Sequence, residues 1–211
     1  MRGLAAVRLI ITTFCTLLCL QNAHAQERIT RYDANITVQK NGDFIVMETL
    51  DVMAEGQSIK RGIFRDFPRF LSDEGHNIEQ EVTLRSVTRN GQSEPFTTSV
   101  DDNVVRWRIG SANRLLDLGK HSYGLTYHVK NQVRYHESFD EVYWNVTGSH
   151  WPFPIERASA RITFPSGVSV KAVNGYTGRY GSAEQAVKSR QSAGVVFIES
   201  TRALAPRENM T

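Results

Sequence analysis

The stretch Ser122-Tyr123-Gly124-Leu125-Thr126-Tyr127-His128-Val129-Lys130-Asn131-Gln132-Val133 decides the fold class. Tyr123, Leu125, Tyr127, Val129 and Val133 share one parity, while Ser122, Thr126, His128 and Lys130 take the other. Successive side chains of a strand point to opposite faces, so this spacing describes a β-strand with one dry face. The same period recurs on both sides of it. Residues 32–38 and 44–53 alternate around Asn41-Gly42-Asp43, the signature of a hairpin with a glycine in its turn. Residues 82–87 lead into a second tight turn at Asn90-Gly91, and Val105, Trp107 and Ile109 oppose Arg106 and Arg108. Val142, Trp144 and Val146 continue the pattern, followed by residues 158–164, 168–173 and 195–198. About nine such strands separated by turn signals predict an all-β chain folded as an antiparallel β-sandwich, Ig-like or related. Only residues 182–190 read as helical, without an apolar stripe, so a loop or at most one short helix is expected there.

The amino terminus carries a different signal. Arg2 and Arg8 precede an almost unbroken apolar run over residues 9–20, and Ala23-His24-Ala25 supplies small residues where a signal peptidase reads. Residues 1–25 are therefore expected to be a signal peptide cleaved before Gln26, with residues 26–211 as a single domain. The apolar run is shorter than the ~20 residues of a spanning helix, which leaves an uncleaved anchor as the alternative. The leader predicts export to the periplasmic or extracellular side of the cytoplasmic membrane. Both cysteines, Cys15 and Cys19, fall inside it, so the mature fold must stand without disulfides.

Arg2 and Arg8 are the only charged residues of the leader, which leaves 23 basic residues against 22 acidic in the remainder. That near-neutral, interspersed surface argues against a nucleic-acid partner. The histidines His24, His76, His121, His128, His136 and His150 show no metal-ligand spacing, and no nucleophile elbow, phosphate loop or dinucleotide fingerprint is visible. The expectation is a protein without cofactor or metal that is not an enzyme.

Glu48 shares parity with Phe44, Val46, Leu50 and Val52, which places a carboxylate on the dry face. A lone buried charge costs several kcal/mol or more, so it requires a partner or an edge. The nearest cations along the chain are Arg65 and Arg61, and pairing with Arg65, or failing that Arg61, would pin this loop onto the sandwich. A bulge that lets Glu48 reach water is the alternative. The second dense segment, residues 143–155, holds Tyr143, Trp144, Trp151, Pro152, Phe153 and Pro154. Trp144, Asn145 and Trp151 could form a stacking platform for sugar or peptide; aromatics at strand parity more often belong to a core, and that reading is preferred.

Several of these segments together resemble a known family, the predicted bacterial membrane proteins that carry domain of unknown function 2207 (DUF2207) at their amino terminus. The residues that carry the resemblance are 29–32, the Asn41-Gly42-Asp43 turn with Val46-Met47-Glu48, Arg61-Gly62-Ile63-Phe64-Arg65 and Pro68. Further on they are Gly119, residues 123–129, residues 143–148 with Trp151, Pro154-Ile155 and Phe164-Pro165. The resemblance spans most of residues 26–211 and rests on order and spacing rather than on one motif. It implies an exported β-domain followed by membrane helices, with no catalytic residues to carry over; the partner expected for such a domain is an unknown envelope protein or glycan. Residues 204–211 resemble the lead-in to the domain's last strand, which Thr211 does not reach. A fragment, a truncated gene and a divergent soluble member all fit that ending, and membrane association would come through a segment beyond Thr211 or through an uncleaved anchor.

Overall fold

The computed structural model describes residues 26–73 and 76–211, so the leader expected over residues 1–25 lies outside the described residues. The chain is all-β, with no helix among the described residues. The first strand pair in chain order is the hairpin around Gly42. Strand β1 (Arg28–Val38) pairs antiparallel with β2 (Phe44–Ala54), from Val38 opposite Phe44 to Arg28 opposite Met53. Gly42 has φ of 85°. Gln39 N–H donates to the Asp43 carbonyl at 2.8 Å and closes the turn.

The second layer begins with β3 (Ile63–Pro68). Two short strands, β4 (Phe70–Asp73) and β5 (His76–Glu79), pair with each other. The chain then rejoins the main sheet as β6 (Val82–Arg89) and turns at Asn90-Gly91 into β7 (Gln92–Ser93). Strands β8 (Phe96–Val100) and β9 (Val104–Ile109) return to the second layer, which has the order β3-β9-β8. The deciding stretch of the sequence becomes β10 (Gly119–Val129), paired with β2 on one side and β6 on the other. Strands β11 (Val133–Tyr135) and β12 (Asp140–Val142) make a small hairpin. The large sheet is completed by β13 (Ala158–Thr163), β15 (Val187–Ser192) and β16 (Val195–Ser200), giving the order β15-β16-β13-β1-β2-β10-β6-β7. Strands β14 (Thr177–Gly178) and β17 (Asn209–Met210) pair beside it.

The two layers meet through their apolar faces. Phe67 and Trp107 from the second layer pack on Tyr127 from the first, with ring centroids 5.2 and 5.1 Å apart. Such edge-on aromatic contacts, together with buried Val46, Leu50, Leu125, Ile63 and Ile109, form one core. Gly62 and Gly110 let the two strand ends come together: a Cβ on Gly62 would lie 1.7 Å from the Ile109 carbonyl oxygen, and one on Gly110 2.0 Å from that of Arg61.

Three segments differ from the sequence expectation. Residues 182–190 are not helical; the second half of that stretch is the edge strand β15, whose side chains beyond Val187 are exposed, so no alternation marks it. Residues 168–173 form no strand, and residues 143–146 run as irregular chain. The ladder between β1 and β13 is parallel, with Tyr32 opposite Ala158, in an otherwise antiparallel sheet. Its cause is the preceding segment: Pro154 and Arg157 accept hydrogen bonds from Ile29 and Tyr32, so β13 enters from the end where β1 starts.

Candidate functional site

Glu48 projects inward from the middle of β2 because the burial alternation of that strand runs through it without interruption. Its neighbours in register are Ala34 and Leu125, and the irregularity of β1 falls at Ile29 and Arg31, so no bulge carries Glu48 to water. Glu48 is 1% exposed. On β3, Arg65 lies two residues after buried Ile63 and shares its inward face, where it is 2% exposed. Arg65 donates from Nη2 to Glu48 Oε1 at 2.8 Å and from Nε to Oε2 at 3.1 Å, a two-pronged pair that spans the two layers. Arg61 does not join it: its side chain is exposed before β3.

The remaining bonds of the pair are also met inside. Tyr127 donates its hydroxyl to Glu48 Oε1 at 2.5 Å, and Arg65 Nη1 donates to the Asp66 carbonyl at 3.0 Å. The guanidinium lies 4.1 Å from the centroid of the Phe67 ring. Burial pushes the Tyr127 phenol well above its ordinary range, and the negative neighbour Glu48 pushes it the same way. Burial opposes the charged form of Arg65, yet Glu48, with Tyr32 and Tyr127 beside it, together offset this and hold the guanidinium well above its ordinary value. The arrangement is a closed electrostatic clamp. Its charged groups face one another and have no path to solvent.

The aromatic turn over residues 143–155 abuts this clamp. Gly148 has φ of 72°, and a Cβ there would sit 2.4 Å from Arg65 Nη1. Asn145 Oδ1 accepts from Gly148 N–H at 2.9 Å and shapes that turn. Trp144 packs edge-on against Phe44 and Trp151 against Tyr32, and Trp151 Nε1 donates to the Thr147 carbonyl at 2.8 Å. Both indoles are buried, at 7% and 4% exposure. Trp144 and Trp151 thus pack their rings against the core rather than standing out as a stacking platform, and Asn145 is half-buried between them.

Trp151 does border a shallow cleft of about 170 Å³ on the outer side of β3, lined also by Phe64, Asp66, Arg106, His150 and Phe153. Asp66 and Arg106 face each other in register and form a two-pronged ion pair at 2.7 and 2.7 Å. Sequence reasoning missed this cleft because its walls come from β3, β9 and the 150–153 turn, and no local motif announces that pairing. Among the described residues, no group of three or more histidine, cysteine, aspartate or glutamate side chains is arranged to hold a metal ion.

Comparison with known proteins gives three findings. The family model described as the predicted membrane protein (DUF2207) N-terminal domain matches residues 28–211. The uncharacterized protein YciQ of Escherichia coli is 30% identical over 159 residues, which cover 74% of this chain and 25% of that protein. The chain thus spans about a quarter of the length of this curated relative. Among solved structures, yeast LTA4 hydrolase in complex with bestatin aligns with a TM-score of 0.52 at 9% identity, covering 87% of this chain and 28% of that one. Native leukotriene A4 hydrolase from Saccharomyces cerevisiae aligns with a TM-score of 0.50, also at 9% identity, over 88% of this chain and 29% of that one. Identity this low speaks to the fold alone.

Proposed function

The chain belongs to the DUF2207 N-terminal domain family of predicted membrane proteins, and from that premise we propose that it is the exported, non-catalytic β-sandwich domain of such a protein, a contact module of the cell envelope on the outer side of the cytoplasmic membrane. The observation that carries the reading is the fate of the reactive groups. Glu48, Arg65 and Tyr127 are spent on one another in the core, at exposures of 2% or less. Groups that hold two layers together and never meet solvent serve stability rather than turnover. The charged leader and its apolar run support export.

The test is topological. The full-length gene is expressed with its own leader, and intact cells or spheroplasts are treated with protease. The domain is expected to be digested from the outside, and amino-terminal sequencing of the exported product to begin at Gln26. Protection until the cytoplasmic membrane is lysed would overturn the proposal.

A second reading, a glycan- or peptide-binding module, draws on the cleft beside Trp151. It predicts a change in tryptophan fluorescence on titration with a glycan and peptide panel, abolished by Phe64→Ala, which alters an exposed wall of the cleft. A flat response across the panel would remove it.

A further inference from the structure

We propose that the end of the sandwich at the Gly42 turn rests on the membrane surface, with side chains of two hairpins seated among the lipid headgroups. Strands β1, β2, β10 and β6 all reach this end, where Val38 and Val129 lie opposite Phe44, and Val82 opposite Val129. Two hairpins are rooted there. Gln80 N–H, just after β5, donates to the Arg69 carbonyl, just before β4, at 2.7 Å. Gln132 N–H, just before β11, donates to the Gly42 carbonyl at 2.8 Å. Gln80 Nε2 donates to Gln132 Oε1 at 3.1 Å and ties the β4–β5 hairpin to the β11–β12 hairpin.

This end exposes rings and aliphatic side chains. Phe70, Ile78, Tyr135, Phe139, Tyr143 and Tyr176 are 36% to 67% exposed. Two of the rings carry a guanidinium: Arg69 lies 5.0 Å from the centroid of Phe70, and Arg134 4.9 Å from that of Tyr143. Rings flanked by long cations that reach outward favour the headgroup layer, which is apolar on one side and wet on the other.

The occupant is argued from the path of the chain and from charge. Residues 204–211 run antiparallel to residues 146–155: Leu204 and Ile155 exchange backbone bonds, Arg207 N–H donates to the Trp151 carbonyl, and Val146 N–H to that of Met210. The last strand therefore heads toward Tyr143, and Thr211 exchanges backbone bonds with Tyr176. The matching family model is the amino-terminal domain of predicted membrane proteins, so in such a protein the membrane-bearing part follows this strand, a clause that rests on the membrane reading above. The tether holds the domain near lipid and lets a weak contact form. Charge opposes a second copy. Arg69, Lys130 and Arg134 are each paired with a carboxylate, from Glu79, Glu81 and Glu141. Of the other exposed groups on this end, Asp101, Asp102, Glu137 and Asp140 outnumber Lys40. Two copies meeting end to end would set those carboxylates against each other, a penalty that neutral lipid does not impose.

Site-specific fluorescence on vesicles tests the proposal. The chain from Gln26 has no cysteine, so Phe139→Cys, Ile78→Cys and, at the far end, Leu118→Cys each take one environment-sensitive label at an exposed position. Each variant is held by a carboxy-terminal polyhistidine tag on phosphatidylcholine vesicles that contain a nickel-chelating lipid, with and without a quencher at headgroup depth. A long Gly-Ser linker before the tag leaves the domain free to turn. The labels at positions 139 and 78 are expected to shift to the blue and be quenched, and the label at 118 to do neither. Both effects should weaken as phosphatidylglycerol replaces phosphatidylcholine. Labels at 139 and 78 quenched no more than the one at 118 would overturn the proposal. A blue shift that follows protein concentration without vesicles, the mark of a second copy, would also overturn it. A measurement without substitutions runs in parallel: amide exchange over residues 133–143 of the tethered wild type should be slower than in the free chain, and equal exchange would count against the contact. The quencher reports which end of the domain meets lipid, whereas the protease experiment reports which side of the membrane it occupies, so either proposal can fail alone.

Discussion

Glu27 shows how much one residue can fix with no side-chain partner. Its carboxylate accepts hydrogen bonds from the backbone N–H groups of Glu55, Gln57, Ser58 and Ile59, at 2.7 to 3.3 Å, and ties the start of β1 to the loop leaving β2. Burial works against the charged form, but the four amides outweigh it and hold the carboxyl below its ordinary value of 4.5. A depressed carboxyl stabilises the fold at pH above its unfolded value, and that stability is lost as pH falls through the folded value. Thermal melts of wild type should therefore weaken progressively below about pH 4.5. Glu27→Gln should cost on the order of 1–3 kcal/mol at neutral pH, the worth of hydrogen bonds to a buried carboxylate, and should flatten that acid limb. A variant with the wild-type pH profile would contradict this role. Nothing in the sequence flags Glu27, because backbone amides leave no signature. Glu48 was legible, since its parity on a clearly alternating strand demanded a partner.

Among the elements, legibility followed patterning. The β1–β2 hairpin, β9, β10, β13 and β16 carry one wet and one dry face, and their alternation can be read directly. Strands β8 and β15 are edges with exposed side chains, and β3 breaks alternation by burying Arg65, Asp66 and Phe67 in succession. Residues 168–173 alternate in hydrophobicity yet remain outside the sheets, since a short alternating run is no strand without a neighbour to pair with. The aromatic turn was legible as a rigid core-directed segment, but its closeness to Arg65 depends on tertiary packing. Gly148 makes that contact possible. Gly148→Ala is expected to destabilise by about 1–3 kcal/mol, from a left-handed backbone and a clash with the guanidinium. Gly167→Ala, also at positive φ but facing open space, should cost less. Equal losses in chemical denaturation would show that the close approach to Arg65 is unimportant.

At the scale of the molecule, a broad sheet and a smaller one face each other, and the polar centre between them joins residues far apart in the chain. Glu48 comes from β2, Arg65 from β3, Tyr127 from β10 and Gly148 from the aromatic turn. A buried pair that is satisfied on both sides stabilises little against an apolar replacement, but breaking it strands a charge and costs about 3–5 kcal/mol. The fold class and one half of this centre could be read from periodicity; the convergence of the other half could not, because it is a property of the register between layers.

The account's central claim is that Glu48 and Arg65 act as one clamp between the layers. Its most direct test is a double-mutant cycle with Glu48→Gln, Arg65→Met and the double variant, read by urea unfolding. Each single change is expected to cost about 3–5 kcal/mol, and the double variant to cost less than their sum by about 0.5–3 kcal/mol. Strictly additive losses would contradict the claim.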